Sequence, residues 1–307
     1  MSTNRDYLQV FKSIIDKFTY DPNVRIIISV RIFDLYYDPS LRVYKNLKTI
    51  KVGILDEEIV IEQLAKIGIH KNKIPAKLLF LLRTPYHLNI FSRIAASIAP
   101  KYSIINLQGL YRELYSQKIL SIPDYLPVKA QKVKKLLFKI VDKMHSSQSI
   151  TVSQHYFENY TKELNYMESE RLIKKEGVML QFFHQTFYDY VFAKRFVEKG
   201  ENLVHYIKRQ EQSILIRFAV KMILSYLREY DNDIYIGLLK ELFSNDEILF
   251  HIKHMAFSYI ILQEKPSLDE AAVISSVLVD EENYLSLFFE NATSKIWFDM
   301  ALRINLK

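Results

Sequence analysis

The sequence predicts a mainly α-helical protein, and three observations carry that prediction. Gly and Pro are scarce, 6 and 8 among 307 residues, about 5% together against roughly 12% in average usage. From Asp56 onward apolar residues recur almost everywhere at helical spacing. Strand-like runs are few and short. The glycine shortage also excludes chemistry. The six glycines are Gly53, Gly68, Gly109, Gly177, Gly200 and Gly237, and no two stand close enough for a G-x-G-x-x-G turn or a Walker A loop. Nothing glycine-built can cradle a phosphate, and a barrel or sandwich would lack its turn residues.

Element by element, apolar residues from Tyr7 to Phe18 predict a helix that Asp21-Pro22-Asn23 breaks. Val24-Arg25-Ile26-Ile27-Ile28-Ser29-Val30 is a β-branched run bounded by a turn and predicts a buried parallel strand. Thr49–Val52 predicts a second. The first fifty residues therefore read as the tail of an α/β domain, too little to close a sheet. Asp56 is suited to cap a helix over 57–67. Further helices are expected at 75–82, 85–98, 107–119 and, as a basic amphipathic helix, 128–144. Another is expected at 153–164 with Ser153 as its cap, then one at 168–175, a strand at Val178–Phe183 after Gly177, and a helix at 185–199. Three helices and a short β element over 100–185 have the outline of a winged helix. Beyond Gly200 come seven amphipathic helices, at 201–209, 211–228, 233–243, 247–262, 268–278, 281–290 and 294–303. They resemble a helical-repeat arm, without a strict period.

Hydrophobic residues make up 49% and aromatics 13%, enough for a large core or several smaller ones. Zero Cys excludes disulfides, thiolate metal sites and thiol catalysis, and fits a cytoplasmic chain. The net charge of +7 is spread along the chain; it permits an acidic partner without demanding one. Apolar stretches are interrupted by charge, so no membrane span is expected.

Candidate residues follow from position. Arg31 stands at the C-terminal end of the predicted first strand, where open α/β sheets bind ligands and an Arg can reach a terminal phosphate; a solvated strand-end Arg is the plainer reading. Pro85, in Arg83-Thr84-Pro85-Tyr86-His87-Leu88, fits an ordinary helix start. His184 opens an aromatic helix, where backbone N–H groups and an imidazole can hold a phosphate, or it is simply a polar residue among core aromatics. Asp56-Glu57 after Val52-Gly53-Ile54-Leu55 has the form of a Walker B end, yet equally of an acidic first helical turn. His251 and His254 lack further ligands at useful spacing, and no metal site is expected. Lys129, Lys132, Lys134, Lys135, Lys139 and Lys143 line one helix and can meet phosphates or water.

Taken in order, strand-Ser29-Val30-Arg31, the Arg83-Thr84-Pro85-x-x-Leu88 helix, the winged-helix outline and Phe182-Phe183-His184-Gln185-Thr186-Phe187-Tyr188-Asp189-Tyr190 resemble the NACHT class of STAND NTPases. The resemblance covers roughly residues 1–200, and its most specific part is 182–196. It implies a remnant of the P-loop NTPase α/β core at 1–55, a small helical domain at 56–100, a winged-helix domain at 101–198 and a helical sensor arm at 199–307. It implies that Arg31 is the sensor 1 arginine reading the γ-phosphate, that Pro85 packs on adenine, and that His184 holds the β-phosphate of ADP in a closed state. In the family, exchange of ADP for ATP with Mg²⁺ opens the molecule, which oligomerises and activates an effector, in some members as antiviral defence. Walker A and Walker B would lie upstream of Arg31. The chain is therefore expected to be the C-terminal part of such a protein, without ATPase activity or tight nucleotide binding alone. Its expected partners are copies of itself in full-length form, a protein trigger, or a separately encoded P-loop half. The alternative expectation is a stand-alone helical scaffold whose winged helix binds DNA or protein.

Overall fold

The computed structural model describes residues 10, 12–28, 44, 46–50, 52–98, 106–147, 149–210, 212, 216–263, 265–280, 282–292 and 294–303. The chain divides into two compact units, Met1–Ile54 and Leu55–Lys307. Among the described residues it is mainly helical, with one small sheet. None of the described helices is long and apolar enough to cross a membrane.

In the first unit, residues 12–18 are helical, as expected, and Asp21 turns the chain by accepting the Asn23 N–H at 2.9 Å. The predicted strands do not form in their described parts. Residues 24–28, 49, 50 and 52 are irregular, and Ile27, Ile50 and Val52 are over 80% exposed. A β-branched run becomes a strand only when a neighbour takes its backbone hydrogen bonds, and no partner strand stands in this unit among the described residues. The expected α/β remnant thus has no sheet there. Ser29, Val30 and Arg31 lie outside the described residues.

The second unit begins with α1 (Glu57–Lys66), which follows Asp56 and buries Val60 and Leu64 one turn apart. It stops in a Schellman turn: Gly68 takes a φ of +80°, its N–H reaching the Ala65 carbonyl and that of Ile69 the Leu64 carbonyl. Then come α2 (Ala76–Leu82) and α3 (Pro85–Ile98), whose first residue needs no N–H. Next is α4 (Leu107–Tyr115), which Asn106 caps by accepting the Gly109 N–H at 2.8 Å. A π-helical turn, Ser116–Leu120, continues it. α5 (Ala130–Ser146) buries Val133, Leu136, Leu137, Ile140, Val141 and Met144 along one stripe.

The next segment corrects the sequence reading. The helices expected at 153–164 and 168–175 are instead β1 (Val152–Ser153), a 3-10 turn (Gln154–Tyr160), α6 (Thr161–Ser169) and β2 (Ile173–Glu176). Ser153 does cap, accepting the His155 N–H, but Phe157 at φ −134° breaks the helical path. β3 (Met179–Phe182) falls within the expected strand. Gly177, at φ +61°, turns β2 into β3, with Ile173 opposite Phe182 and Glu176 opposite Met179. The antiparallel sheet has the order β1-β3-β2.

α7 (Gln185–Glu198) packs on α4, α5 and β3. After it come α8 (Leu203–Arg209), α9 (Ile216–Tyr230), α10 (Asn232–Ser244), α11 (Phe250–Ile261), α12 (Leu268–Asp280), α13 (Leu285–Asn291) and α14 (Lys295–Arg303). They alternate between two rows. In one, α7 packs on α9, α9 on α11 and α11 on α13; in the other, α8 packs on α10, α10 on α12 and α12 on α14. One clasp ties three of these helices. The Arg228 guanidinium donates to both Glu270 oxygens at 2.7 and 3.0 Å, Tyr235 donates to Glu270 at 2.8 Å, and Glu270 accepts the Ser267 N–H at 2.7 Å while Ser267 Oγ accepts the Glu270 N–H at 3.1 Å. The last two bonds are a capping box at the start of α12.

Candidate functional site

The fold brings the Pro85 segment and the His184 segment together. Arg83 closes α2, and its Nε and carbonyl both bond Leu55, each at 2.7 Å, fixing the turn ahead of α3. Pro85 is exposed at the first position of α3 and Tyr86 is half-buried behind it. The Tyr86 ring lies face to face on His184, with centroids 3.8 Å apart and planes 12° apart. Phe183 runs parallel to Tyr86 at 6.5 Å and is 40% exposed. Pro85, Tyr86, Phe183 and the edge of His184 thus form an aromatic patch that meets solvent.

His184 caps α7. Its Nδ1 accepts the Thr186 N–H at 3.3 Å and stands 2.7 Å from the Thr186 hydroxyl, which also bonds the Tyr111 hydroxyl. A nitrogen that accepts from a backbone N–H carries no proton, so the neutral ring holds its hydrogen on Nε2. Burial holds the His184 pKa below the usual histidine range, and the neighbouring His87 pushes the same way. His184 is therefore a neutral imidazole with its face covered by Tyr86, its Nδ1 engaged by Thr186, and Nε2–H left as donor. His87 donates from Nδ1 to the Leu81 carbonyl at 3.1 Å, and burial holds its pKa down too. Both rings are neutral near pH 7, which lets them stand close without repulsion.

The patch rests on a fixed base. Arg93 of α3 bonds the Glu170 carbonyl and lies 3.4 Å from the Glu170 carboxylate, which Lys118 also meets at 2.9 Å. Gln117 reaches the Ile94 carbonyl at 3.3 Å. These bonds join α3 to the end of α6 and to the turn after α4.

Of the sequence-predicted residues, Pro85 and His184 come to one patch, and Arg31 lies outside the described residues. Tyr86, Thr186 and Tyr111 were not among the sequence-predicted residues. Tyr86 and Thr186 stood in the segments singled out, and Thr186, two residues after an N-cap His, is where a capping bond is expected; Tyr111 left no signal. Asp56-Glu57 is the start of a helix, with Glu57 paired to Lys71 at 3.1 Å. His254 packs on the Phe250 ring, and among the described residues no group of three or more potential ligands gathers. On α5, Lys134 pairs with Glu198 at 2.8 Å and Lys143 lies over the Tyr156 ring, while Lys132, Lys135 and Lys139 are exposed, Lys139 with its ammonium over the Tyr160 ring. In comparisons with known proteins, the chain matches no family model and no curated protein.

Proposed function

We propose that residues 55–307 are the regulatory and sensor part of a nucleotide-controlled switch of the STAND/NACHT type. In this reading residues 56–100 are the small helical domain, 101–198 a winged helix and 199–307 a helical-repeat sensor arm. The single observation that carries it is the Tyr86–His184 stack. It joins the two segments that the family resemblance assigns to adenine and to the β-phosphate, and among the described residues Nε2–H of His184 bonds nothing else, which suits a phosphate oxygen. Two further features support it. Helix α5, short β1, the turn, α6 and the β2–β3 hairpin follow one another as in a winged helix, with sheet order β1-β3-β2. The two alternating helix rows have the nearest-neighbour packing of a repeat array. The exposed aromatic patch would receive the base, the α7 N-terminus would favour the phosphate, and a change of nucleotide would bias how α3 sits against α7.

The test is a thermal melt of the full chain with ADP or adenosine. ADP binds weakly without the rest of a nucleotide site. At about ten times its Kd it adds ~1.4 kcal/mol, a rise of roughly 3–5 °C for a unit of this size; adenosine adds far less. His184→Asn keeps the capping acceptor but lacks Nε2–H, and loses the response. Equal shifts with ADP and adenosine, or an unchanged response in the variant, would remove the reading.

The second reading, a DNA-binding scaffold, draws on exposed Lys132, Lys135 and Lys139. The helix that such domains lay in the major groove would be α6, which offers Lys162 against half-buried Glu168, with Glu163 turned into the core. Lys175 beyond it is already paired with Glu168 at 2.8 Å. That charge balance favours a protein partner over DNA. Salt-dependent DNA binding lost on changing the three lysines to Glu would restore the DNA reading.

A further inference from the structure

We propose that the cavity beside Asp189 binds a compact ligand carrying one protonated amine or amidine on an apolar body. The cavity, about 280 Å³, opens between the end of α5, α7 and α9. At ~30 Å³ per water it is too large for a single bridging solvent molecule and suits roughly ten non-hydrogen atoms. Met144, Phe192, Phe218 and Met222 wall it with apolar surface. Ser149, Tyr188 and Gln210 also line it, and Ser149 bonds Thr151. The Tyr206 hydroxyl and His145 Nε2 bond each other at 3.0 Å. Gln185 donates to Asp189 Oδ1 at 3.1 Å. Asp189 Oδ2 has no partner among the described residues, and the side chain is 2% exposed.

A carboxylate buried in this way needs a donor or a counter-charge. The cations that follow Asp189 along α7 and at its end pair elsewhere, Arg195 and Lys199 with Asp142 at 3.2 and 3.0 Å and Lys194 with Glu198 at 2.9 Å. An ammonium or amidinium from a ligand supplies what the protein withholds once the lining side chains part to uncover the sealed Oδ2, and the apolar walls take its body. The net charge of +7 gives a cation no long-range attraction, so its affinity has to come from this site. Asp189 lies on α7, the helix that His184 caps, so a ligand here touches the same helix. The inference stands without the nucleotide reading.

The experiment is calorimetric titration of the full chain at pH 8 with 2-phenylethylamine and with its neutral isostere, 2-phenylethanol. The amine is expected to bind at least tenfold tighter than the alcohol. Asp189→Asn should erase that preference. Ala219→Leu, which fills the cavity and leaves Asp189 in place, should weaken both ligands. Failure of the amine to bind, equal affinity for the two ligands, or full amine affinity in either variant overturns the proposal. If Asp189→Asn does not fold, Ala219→Leu and the amine–alcohol comparison still decide.

Discussion

Asp189→Asn should gain stability relative to the wild-type protein as pH rises. Burial pushes the Asp189 carboxyl from 3.8 up to about 7, against the small opposing effect of the Gln185 bond. The sign follows from linkage. Between those two values the folded chain holds a proton that the unfolded chain has released, so stability falls as pH climbs through the interval. The shift of about three units, at ~1.4 kcal/mol each, makes burial of the carboxylate cost roughly 4 kcal/mol above pH 7. Part of that cost is already present at pH 5, where the unfolded carboxyl is ionised. The remainder, roughly 2–3 kcal/mol, accrues between pH 5 and pH 8. Asn has no charge to desolvate, although its buried N–H groups lack acceptors and cost about 1–3 kcal/mol at every pH. That penalty cancels when one pH is compared with another. The assay is urea unfolding of both proteins at pH 5, 6, 7 and 8. The stability of the variant relative to wild type should rise by roughly 2–3 kcal/mol from pH 5 to pH 8. Parallel curves would refute the reasoning, because they would mean that the carboxylate finds a charged or donating partner when it ionises.

Three other outcomes are expected. Arg228→Ala leaves Glu270, 1% exposed, as an uncompensated buried charge and should cost about 3–5 kcal/mol in chemical unfolding, whereas replacing both residues with Leu should cost less. Arg171 holds a φ of +49° where α6 ends, with the Leu172 N–H on the Met167 carbonyl at 2.9 Å; Arg171→Gly relieves that strain and should raise stability by up to ~1 kcal/mol in thermal melts. The 307-residue chain should show no ATP hydrolysis above background, and turnover that disappears with Arg31→Ala would sink that expectation.

The helices were legible because their packing repeats every turn. On α5 each buried residue sits at the spacing that the sequence shows, and the seven helices beyond Gly200 form close to where periodicity places them. The hairpin was not legible in the same way. Ile173-Lys174-Lys175-Glu176 has one apolar residue and three charges, and becomes a strand only because Gly177 folds it onto β3. Residues 24–28 are the converse case, a strand composition without a neighbour to pair with among the described residues. At the site, Pro85 and His184 were visible as segment features. The Tyr86–His184 contact was not, since nothing in either segment encodes the other's position. Asp189 was visible as a member of the aromatic block, but its missing partner exists only once α5, α7 and α9 enclose it.

The most direct measurement of the central claim is ¹⁵N NMR of the His184 ring in the full chain at pH 7.5, assigned through the loss of its signals in His184→Asn, with and without ADP. The ring should be neutral with a bare Nδ1 and a protonated Nε2, and the Nε2 signal should move with ADP and stay still with adenosine. A cationic ring, a proton on Nδ1, or an Nε2 signal indifferent to ADP would contradict it.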